Sequence, residues 1–289
     1  MDSLAVFNQH RPLLFSIAYR MLGTVADAED MVQETFVRWQ SAAGDEIQNP
    51  KAYLSAVVTR LCIDYLRLAQ TQREDYLGPW LPEPVAEETP ADHAALAESL
   101  SIAFLKLLET LSPIERAVFL LREVFDYEYA EIARMVDASE VNCRQLVSRA
   151  RHKVRTGRPR FAPSPAEQEQ IVLQFVQACV TGDLDGLLNV LAEDVTAWSD
   201  GGGKASAARL PIYGAQKVAR FVLGLMKHWP EGMVPRWLKL NGQLSLVLYR
   251  ANGQPFDVLW FDFAEGRIQG LYSILNPDKL RAVPPLAIS

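Results

Sequence analysis

A chain of 289 residues, 49% of them apolar, is long enough for two or three domains and supplies ample material for packed cores. Its formal net charge of −6 argues by itself against a nucleic-acid partner, but net charge is a weak guide where basic and acidic segments are segregated. Cys62, Cys143 and Cys179 are odd in number and scattered without metal-ligand spacing, so they read as reduced intracellular thiols. With no signal-peptide pattern and no apolar run near 18 residues, the expectation is a soluble, cytoplasmic protein without a membrane partner, metal or cofactor.

Two helices are predicted over residues 4–40. Leu13, Leu14, Ile17, Ala18 and Met21 form one apolar stripe, closed by Gly23. Thr24 with Asp27 predicts a capping box for the second helix, in which Val32, Phe36 and Trp39 face a core. Its other face carries Asp27, Glu29, Asp30, Gln33 and Glu34; dipole complementarity explains the first-turn acids but not Glu34, which lies further in. Asn49-Pro50 opens a third helix, with Leu54, Val57, Val58, Leu61 and Tyr65 as its buried stripe. Arg60, Asp64 and Arg67 lie at i, i+4, i+7 on another face, a spacing that suits a solvated surface as well as a DNA contact.

Residues 71–91 have no long apolar period; Pro79, Pro82, Pro84 and Pro90 stand among Glu74, Asp75, Glu83, Glu87 and Glu88, the composition of an extended acidic linker. Within it Trp80 and Leu81 need a surface to pack on, either the nearest domain or a specific latch. Ser112, Pro113 and Glu115 then give a helix start with a full capping box. A short helix over Tyr129–Val136, a turn at Asp137-Ala138 and a longer helix capped by Ser139 and reaching about Val154 form a helix-turn-helix. From Val141 to Phe161 there are seven Lys or Arg and no acid, the footprint of a surface that meets phosphates. Arg144 and Gln145 fall in the early turns, where side chains reach base edges; Arg149, Arg151 and Lys153 come later, where phosphate contact is expected.

The segments ADAEDMVQETFVRWQ, NPKAYLSAVVTRLCIDYLR and LSPIERAVFLLREVFDYEYAEIARMVDASEVNCRQLVSRAR resemble, in order and spacing, an extracytoplasmic-function sigma factor of the sigma-70 family. The resemblance covers about residues 5–156. It implies that Asp27, Asp30, Gln33, Glu34 and Phe36 dock on core RNA polymerase, whose β and β′ subunits are the expected partners. It likewise implies that Lys51, Tyr53, Arg60, Asp64 and Arg67 face the −10 element of promoter DNA, with Ser41 to Gln48 as the loop that captures a flipped base. Ser139, Glu140, Asn142, Arg144, Gln145, Ser148, Arg149, Arg151 and Lys153 fall on the −35 reader. The acidic linker is implied to lie near the polymerase active centre and RNA path.

A second linker, Gly157 to Pro165, precedes an amphipathic helix over 166–181 and another starting at Gly182, which leads into Ala192–Val195. A helix over about Ala215–Lys227 follows, and then the period switches towards two. Strands are predicted at Val234–Leu240, Leu244–Tyr249, Val258–Phe263 and Arg267–Leu275, with turns at Asn241-Gly242, Asn252-Gly253 and Glu265-Gly266. Helices first and a strongly curved antiparallel sheet after them predict an α+β cone. GDLDGLLNVLAEDV and IYGAQKVARFV resemble the SnoaL-like branch of the nuclear transport factor 2 fold. Asp194, Asp200, His228, Asp257 and Asp262 could serve acid–base chemistry in a cone, yet no spacing forces two of them together, so no catalytic group is assigned.

Asp200-Gly201-Gly202-Gly203-Lys204 is too glycine-rich for a strand and lacks the rest of a phosphate loop; Asn276-Pro277-Asp278-Lys279-Leu280 ends the last predicted strand. Together with Trp80-Leu81-Pro82-Glu83-Pro84 these motifs resemble the sigma-factor subgroup that carries a fused SnoaL-like domain, which implies regulation in cis. The expected architecture is multidomain: two all-α sigma domains followed by an α+β SnoaL-like domain. The expected boundaries are 1–74 (polymerase and −10), 75–91 (linker), 92–157 (helix-turn-helix), 158–165 (linker), 166–280 (cone) and 281–289 (tail). The rival readings are a stand-alone helix-turn-helix regulator that senses a small-molecule ligand in the cone, and a cone-fold enzyme with a DNA-binding appendage. A simple repressor would not need the polymerase-docking helix or the acidic linker, and the enzyme reading lacks a carboxylate or histidine pair.

Overall fold

The computed structural model describes residues 3–42, 47–72, 76–86, 101–156, 163–228 and 230–287. The base-capture loop at Ser41 to Gln48 lies partly outside the described residues, as do linker acids Glu74, Asp75, Glu87 and Glu88 and the second linker from Gly157 to Ala162. The chain divides into two compact units, Met1–Asp75 with Phe104–Gly157, and Tyr76–Ala103 with Arg158–Ser289.

In the first unit α1 (Ser3–Leu22), α2 (Val25–Ser41) and α3 (Pro50–Gln72) bury Phe7, Leu14, Ile17, Met21, Val32, Trp39, Leu54 and Val58. The Asn49 carboxamide accepts the N–H of Ala52 at 3.1 Å and so caps α3. The capping box expected at α2 differs: the Thr24 hydroxyl donates to the Asp27 carboxylate and makes no bond to a helix N–H. An ionised carboxylate within reach is the stronger acceptor for a hydroxyl proton. The buried face of α3 is also wider than the one predicted, because Ser55, Thr59, Cys62, Ile63 and Leu66 are buried as well. The helix packs on two sides, so its polar positions 55 and 59 point into protein.

The same unit continues with α4 (Ile102–Leu108), whose first two residues fall in the second unit, and with α5 (Pro113–Glu123), α6 (Tyr129–Val136) and α7 (Glu140–Thr156). The capping box at Ser112 forms in full, with the Ser112 N–H donating to Glu115 at 3.0 Å and the Glu115 N–H to the Ser112 hydroxyl at 3.4 Å. α6 ends at Asp137, whose φ of 53° is left-handed, a conformation that Asp tolerates. Ser139 then caps α7 through the Asn142 N–H at 3.2 Å. Hydrogen bonds tie α4–α7 to α1–α3. Buried Arg116 donates to the carbonyls of Leu108 (2.9 Å) and Met21 (2.6 Å). Tyr127 and Ser55 share a buried hydroxyl–hydroxyl bond of 2.8 Å, and Arg60 reaches α6.

The second unit holds α8 (Pro165–Thr181), α9 (Leu184–Val190), β1 (Leu191–Asp200), β2 (Ile212–Tyr213), α10 (Ala215–Met226), β3 (Val234–Leu240), β4 (Gln243–Tyr249), β5 (Pro255–Ala264), β6 (Arg267–Ile274) and a 3₁₀ turn at Lys279–Ala282. The sheet order is β2-β1-β6-β5-β4-β3. Two corrections to the expected cone follow. Leu191–Asp200 is a strand that the sequence reading left unassigned, and it pairs in parallel with β6, so the sheet is mixed rather than antiparallel. A short helix running directly into a strand leaves no turn signal between the two periods. The helices cover one face of the sheet over Val195, Ala197, Leu248, Phe261 and Leu271. On the other face Val247, Val258, Trp260, Tyr272 and Ile274 pack with Leu81, Ile102, Leu280 and Val283.

Candidate functional site

On α2, Asp30, Gln33 and Glu34 are exposed, Glu34 pairing with Arg38 at 3.0 Å, while Asp27 is half-buried. Phe36 turns inward, its ring 4.8 Å from that of Phe7. On α3 the −10 candidates divide. The Tyr53 ring lies 5.9 Å from Trp39, and the Lys51 ammonium is 5.5 Å above the ring of Tyr127. Arg60 donates to the carbonyls of Met135 (2.7 Å) and Arg134 (2.6 Å), at the C-terminus of α6, where a cation complements the helix dipole. Asp64 and Arg67 form an exposed pair at 3.4 Å and line, with Ile63, Ile114, Val136 and Asp137, a cleft of about 490 Å³.

On the helix-turn-helix, Ser139, Asn142, Arg144, Gln145, Ser148, Arg149, Arg151 and Lys153 are all exposed, on one helix. The cations have acidic neighbours: Arg144 pairs with Glu140 at 3.0 Å, Arg151 with Glu123 at 2.7 Å, and Arg149 and Lys153 with Glu115 at 3.5 and 3.2 Å. Burial pushes the Glu115 carboxyl up, but the Ser112 N–H and hydroxyl together with Lys153 outweigh it and hold the group below its ordinary range. Of these pairs only Arg144–Glu140 is exposed on both sides, and such a pair contributes about 0–1 kcal/mol, whereas Glu115 is buried and also serves the Ser112 capping box.

The three unusual motifs meet within the second unit. Asp200, fully buried at the end of β1, takes three donors on its carboxylate: the Tyr76 hydroxyl at 2.5 Å, the Leu81 N–H at 2.8 Å and the Lys279 ammonium at 2.7 Å. Lys279, only 5% exposed, also donates to the Leu81 carbonyl at 2.5 Å and lies 4.1 Å over the Trp80 ring. The Asp200 backbone carbonyl accepts the N–H groups of Leu275 and Asn276. Asn276 donates to Tyr76 at 3.1 Å and accepts from the Asp278 N–H, and Asp278 pairs with Lys204. Leu81 and Leu280 enter the core on this side of the sheet, while Pro277 stays exposed. Burial, and then the Asp200 bond, push the Tyr76 phenol well above its ordinary range.

The glycines serve close approach rather than looseness. Gly202 and Gly203 have φ of 56° and 72°, and a Cβ on Gly202 would collide with the Asn276 amide, one on Gly203 with the Leu77 side chain; Gly201 packs on the Ala205 carbonyl. Sequence reasoning missed Tyr76 and Asn241. Asn241, fully buried in the β3–β4 turn, accepts the Val85 N–H at 2.9 Å and donates to the Glu83 carbonyl at 3.3 Å, and Ala86 bridges to Leu240. Its turn signature was legible; its side-chain partners, more than 150 positions away, were not.

The acid–base candidates do not converge. Asp194 and His228 are exposed and Asp200 belongs to the linker site. Strand alternation puts Asp257 with Leu248 on the helix-covered face and Asp262 on the other, beside Gly270. Burial pushes the Asp257 carboxyl up to about 7 despite hydrogen bonds from Ser273 at 2.9 and 3.1 Å and from backbone N–H groups. Among the described residues, no three His, Cys, Asp or Glu side chains gather as metal ligands, and no helix is long and apolar enough to cross a membrane.

Residues 6–72 match the model of sigma-70 region 2 and residues 101–154 that of sigma-70, region 4. Two sigma-70 regions followed by an α+β domain define an RNA polymerase sigma factor with a C-terminal extension. The chain is 38% identical to the ECF RNA polymerase sigma factor SigJ of Mycobacterium tuberculosis, over 96% of this chain and 93% of the relative. It is 33% identical to the probable ECF sigma factor SigI of the same species, over 96% of each. The crystal structure of M. tuberculosis SigJ superposes with a TM-score of 0.78 at 35% identity, covering 98% of this chain and all of that one. The chain belongs to the extracytoplasmic-function sigma factors.

Proposed function

We propose that this sigma factor brings core RNA polymerase to promoters in the cytoplasm and is restrained in cis by its own C-terminal domain, which acts as a clamp on the linker rather than as an enzyme. Asp30, Gln33 and Glu34 offer the acidic face to the polymerase, α3 meets the −10 element and α7 the −35 element. The observation that carries the restraint is the seat of linker residues Tyr76, Trp80 and Leu81 on Asp200 and Lys279. A linker held there is not free to enter a channel of the polymerase.

The α3–α6 packing adds a second restraint. Elements centred at −10 and −35 lie about 85 Å apart along B-DNA at about 3.4 Å per base pair. Arg60 meanwhile stands 2.7 Å from the Met135 carbonyl, within the helix-turn-helix. Both elements can be read together only after α3 and α6 part.

The test is run-off transcription with core polymerase on the gene's own upstream region, comparing wild type with Trp80→Ala and Asp200→Asn. The expected result is a promoter-specific transcript that depends on the chain and rises severalfold in both variants. Asp200 lies outside the linker, so its variant separates clamp release from loss of a linker contact. A transcript independent of the chain would sink the sigma reading; wild-type output from both variants would sink restraint by the clamp.

A further inference from the structure

The HTH surface contains a support for Arg144 that the sigma reading does not use. Tyr129, half-buried at the first position of α6, has two guanidinium groups over its ring, Arg122 at 5.2 Å and Arg144 at 4.8 Å. Arg122 is itself fixed: it donates to the Tyr127 carbonyl at 2.9 Å and to Glu128 at 3.2 Å, and stands 3.7 Å from Asp126. Arg144 is also held by Glu140, one helical turn back, at 3.0 Å. The Arg144 guanidinium thus lies over an aromatic ring and is tied at one nitrogen to Glu140, on the exposed early turns of α7.

We propose that Tyr129 is a specificity-determining positioning residue: it sets the plane of Arg144 so that the guanidinium meets a guanine edge, through O6 and N7, in the major groove of the −35 element. The inference rests on the reading of α7 as the −35 helix. Bidentate recognition demands that the guanidinium plane coincide with the base plane. A free arginine on an exposed helix samples many rotamers and loses that entropy on binding; held over the Tyr129 ring and tied to Glu140, it has fewer to lose. A long cation that merely meets phosphate needs no such arrangement.

The experiment uses the full chain with core polymerase on a library randomised at the −35 element, reading base preference at each position and total affinity against salt. The variants are Tyr129→Phe, Tyr129→Leu, Tyr129→Gln, Arg144→Ala and the double variant of Tyr129→Leu with Arg144→Ala. Arg144→Ala should lose roughly 5- to 150-fold of the preference at one base pair. Tyr129→Leu and Tyr129→Gln should lose about two- to fivefold at that same position, the weight of an exposed cation–π contact. Their salt dependence should stay unchanged, and Tyr129→Phe should match wild type because only the ring face is used. On the Arg144→Ala background Tyr129→Leu should change nothing further. Uniform weakening by Tyr129→Leu at all positions, or an equal effect with and without Arg144, overturns the inference while leaving α7 as the reader. If Arg144→Ala leaves every preference intact, the base-reading assignment falls and the role of Tyr129 with it.

Discussion

Replacing Asp200 by Asn separates a charge-dependent clamp from an apolar one. The carboxylate is fully buried and Lys279 is 5% exposed, with 2.7 Å between them. Removing one charge of such a pair typically costs about 3–5 kcal/mol, because the other stays buried without its counter-charge. Asn keeps the shape and one acceptor, so the loss falls on the seat of the linker and the turn around residue 200 rather than on the helix-covered core. The Leu81 N–H donates to the Asp200 carboxylate, which makes its hydrogen exchange a direct gauge of opening. At about 1.4 kcal/mol per decade, Asp200→Asn should speed that exchange by about two to nearly four orders of magnitude. Adding Lys279→Met should restore part of the protection, since the uncharged pair leaves no buried charge without its counter-charge. The control is Lys204→Ala, which breaks the more exposed pair with Asp278 and should leave that exchange close to the wild-type rate. If Asp200→Asn accelerates exchange no more than Lys204→Ala does, or if Lys279→Met adds to the damage instead of relieving it, the pair does not hold the linker.

Gly202→Ala combines a left-handed φ with a Cβ aimed at the Asn276 amide, so it should destabilise the second unit by at least about 1–2 kcal/mol, seen in denaturant unfolding. Burial raises Asp257 from an ordinary 3.8 to about 7 in the folded state, so the unfolded chain gives up its proton first as pH rises. Stability is therefore lost between about pH 4 and 7, by on the order of 4 kcal/mol, and Asp257→Asn should abolish that slope in unfolding measured across this range. Charge reversal at exposed Asp30 and Glu34 should weaken capture of core polymerase while leaving the melting curve in place. Lys153→Ala should weaken binding to all promoter sequences alike and lower the salt slope by about 1.

What could be read in advance was local. The capping box at Ser112, the turn at Asp137 and the cap at Ser139 involve residues three or four apart, and each forms where the spacing puts it. Arg60 shows the limit: its partners are carbonyls 74 and 75 positions away, and a backbone acceptor leaves no trace in the sequence. For the same reason the predicted apolar stripe of α3 did not include Ser55 and Thr59, which the fold buries. The cone motifs stood out because each broke a local rule: aromatic in a linker, three glycines in a row, a proline after a strand. That oddity located the site. It did not tell that the glycines are there to admit Asn276 and Leu77, or that Tyr76 and Asn241 complete the seat.

The linker is held at two places of different chemistry, and the difference bears on how it is released. At Leu81 the holder is an ion pair with both charges buried; at Val85 it is the neutral side chain of Asn241. An apolar seat alone would fix Trp80 and Leu81 without fixing register, since burial is non-directional. The hydrogen bonds at Leu81 and Val85 and the bridge at Ala86 supply the register. Because Asp200 and Lys279 are out of water, mobile ions screen them little, so ionic strength alone should not open the clamp. Release needs a competitor that both offers Trp80 and Leu81 another apolar seat and satisfies the Leu81 N–H as it leaves the Asp200 carboxylate. A channel lined only by cations meets neither demand, so a competing surface must bring aromatic or aliphatic contacts of its own, as well as charge, before the linker can leave.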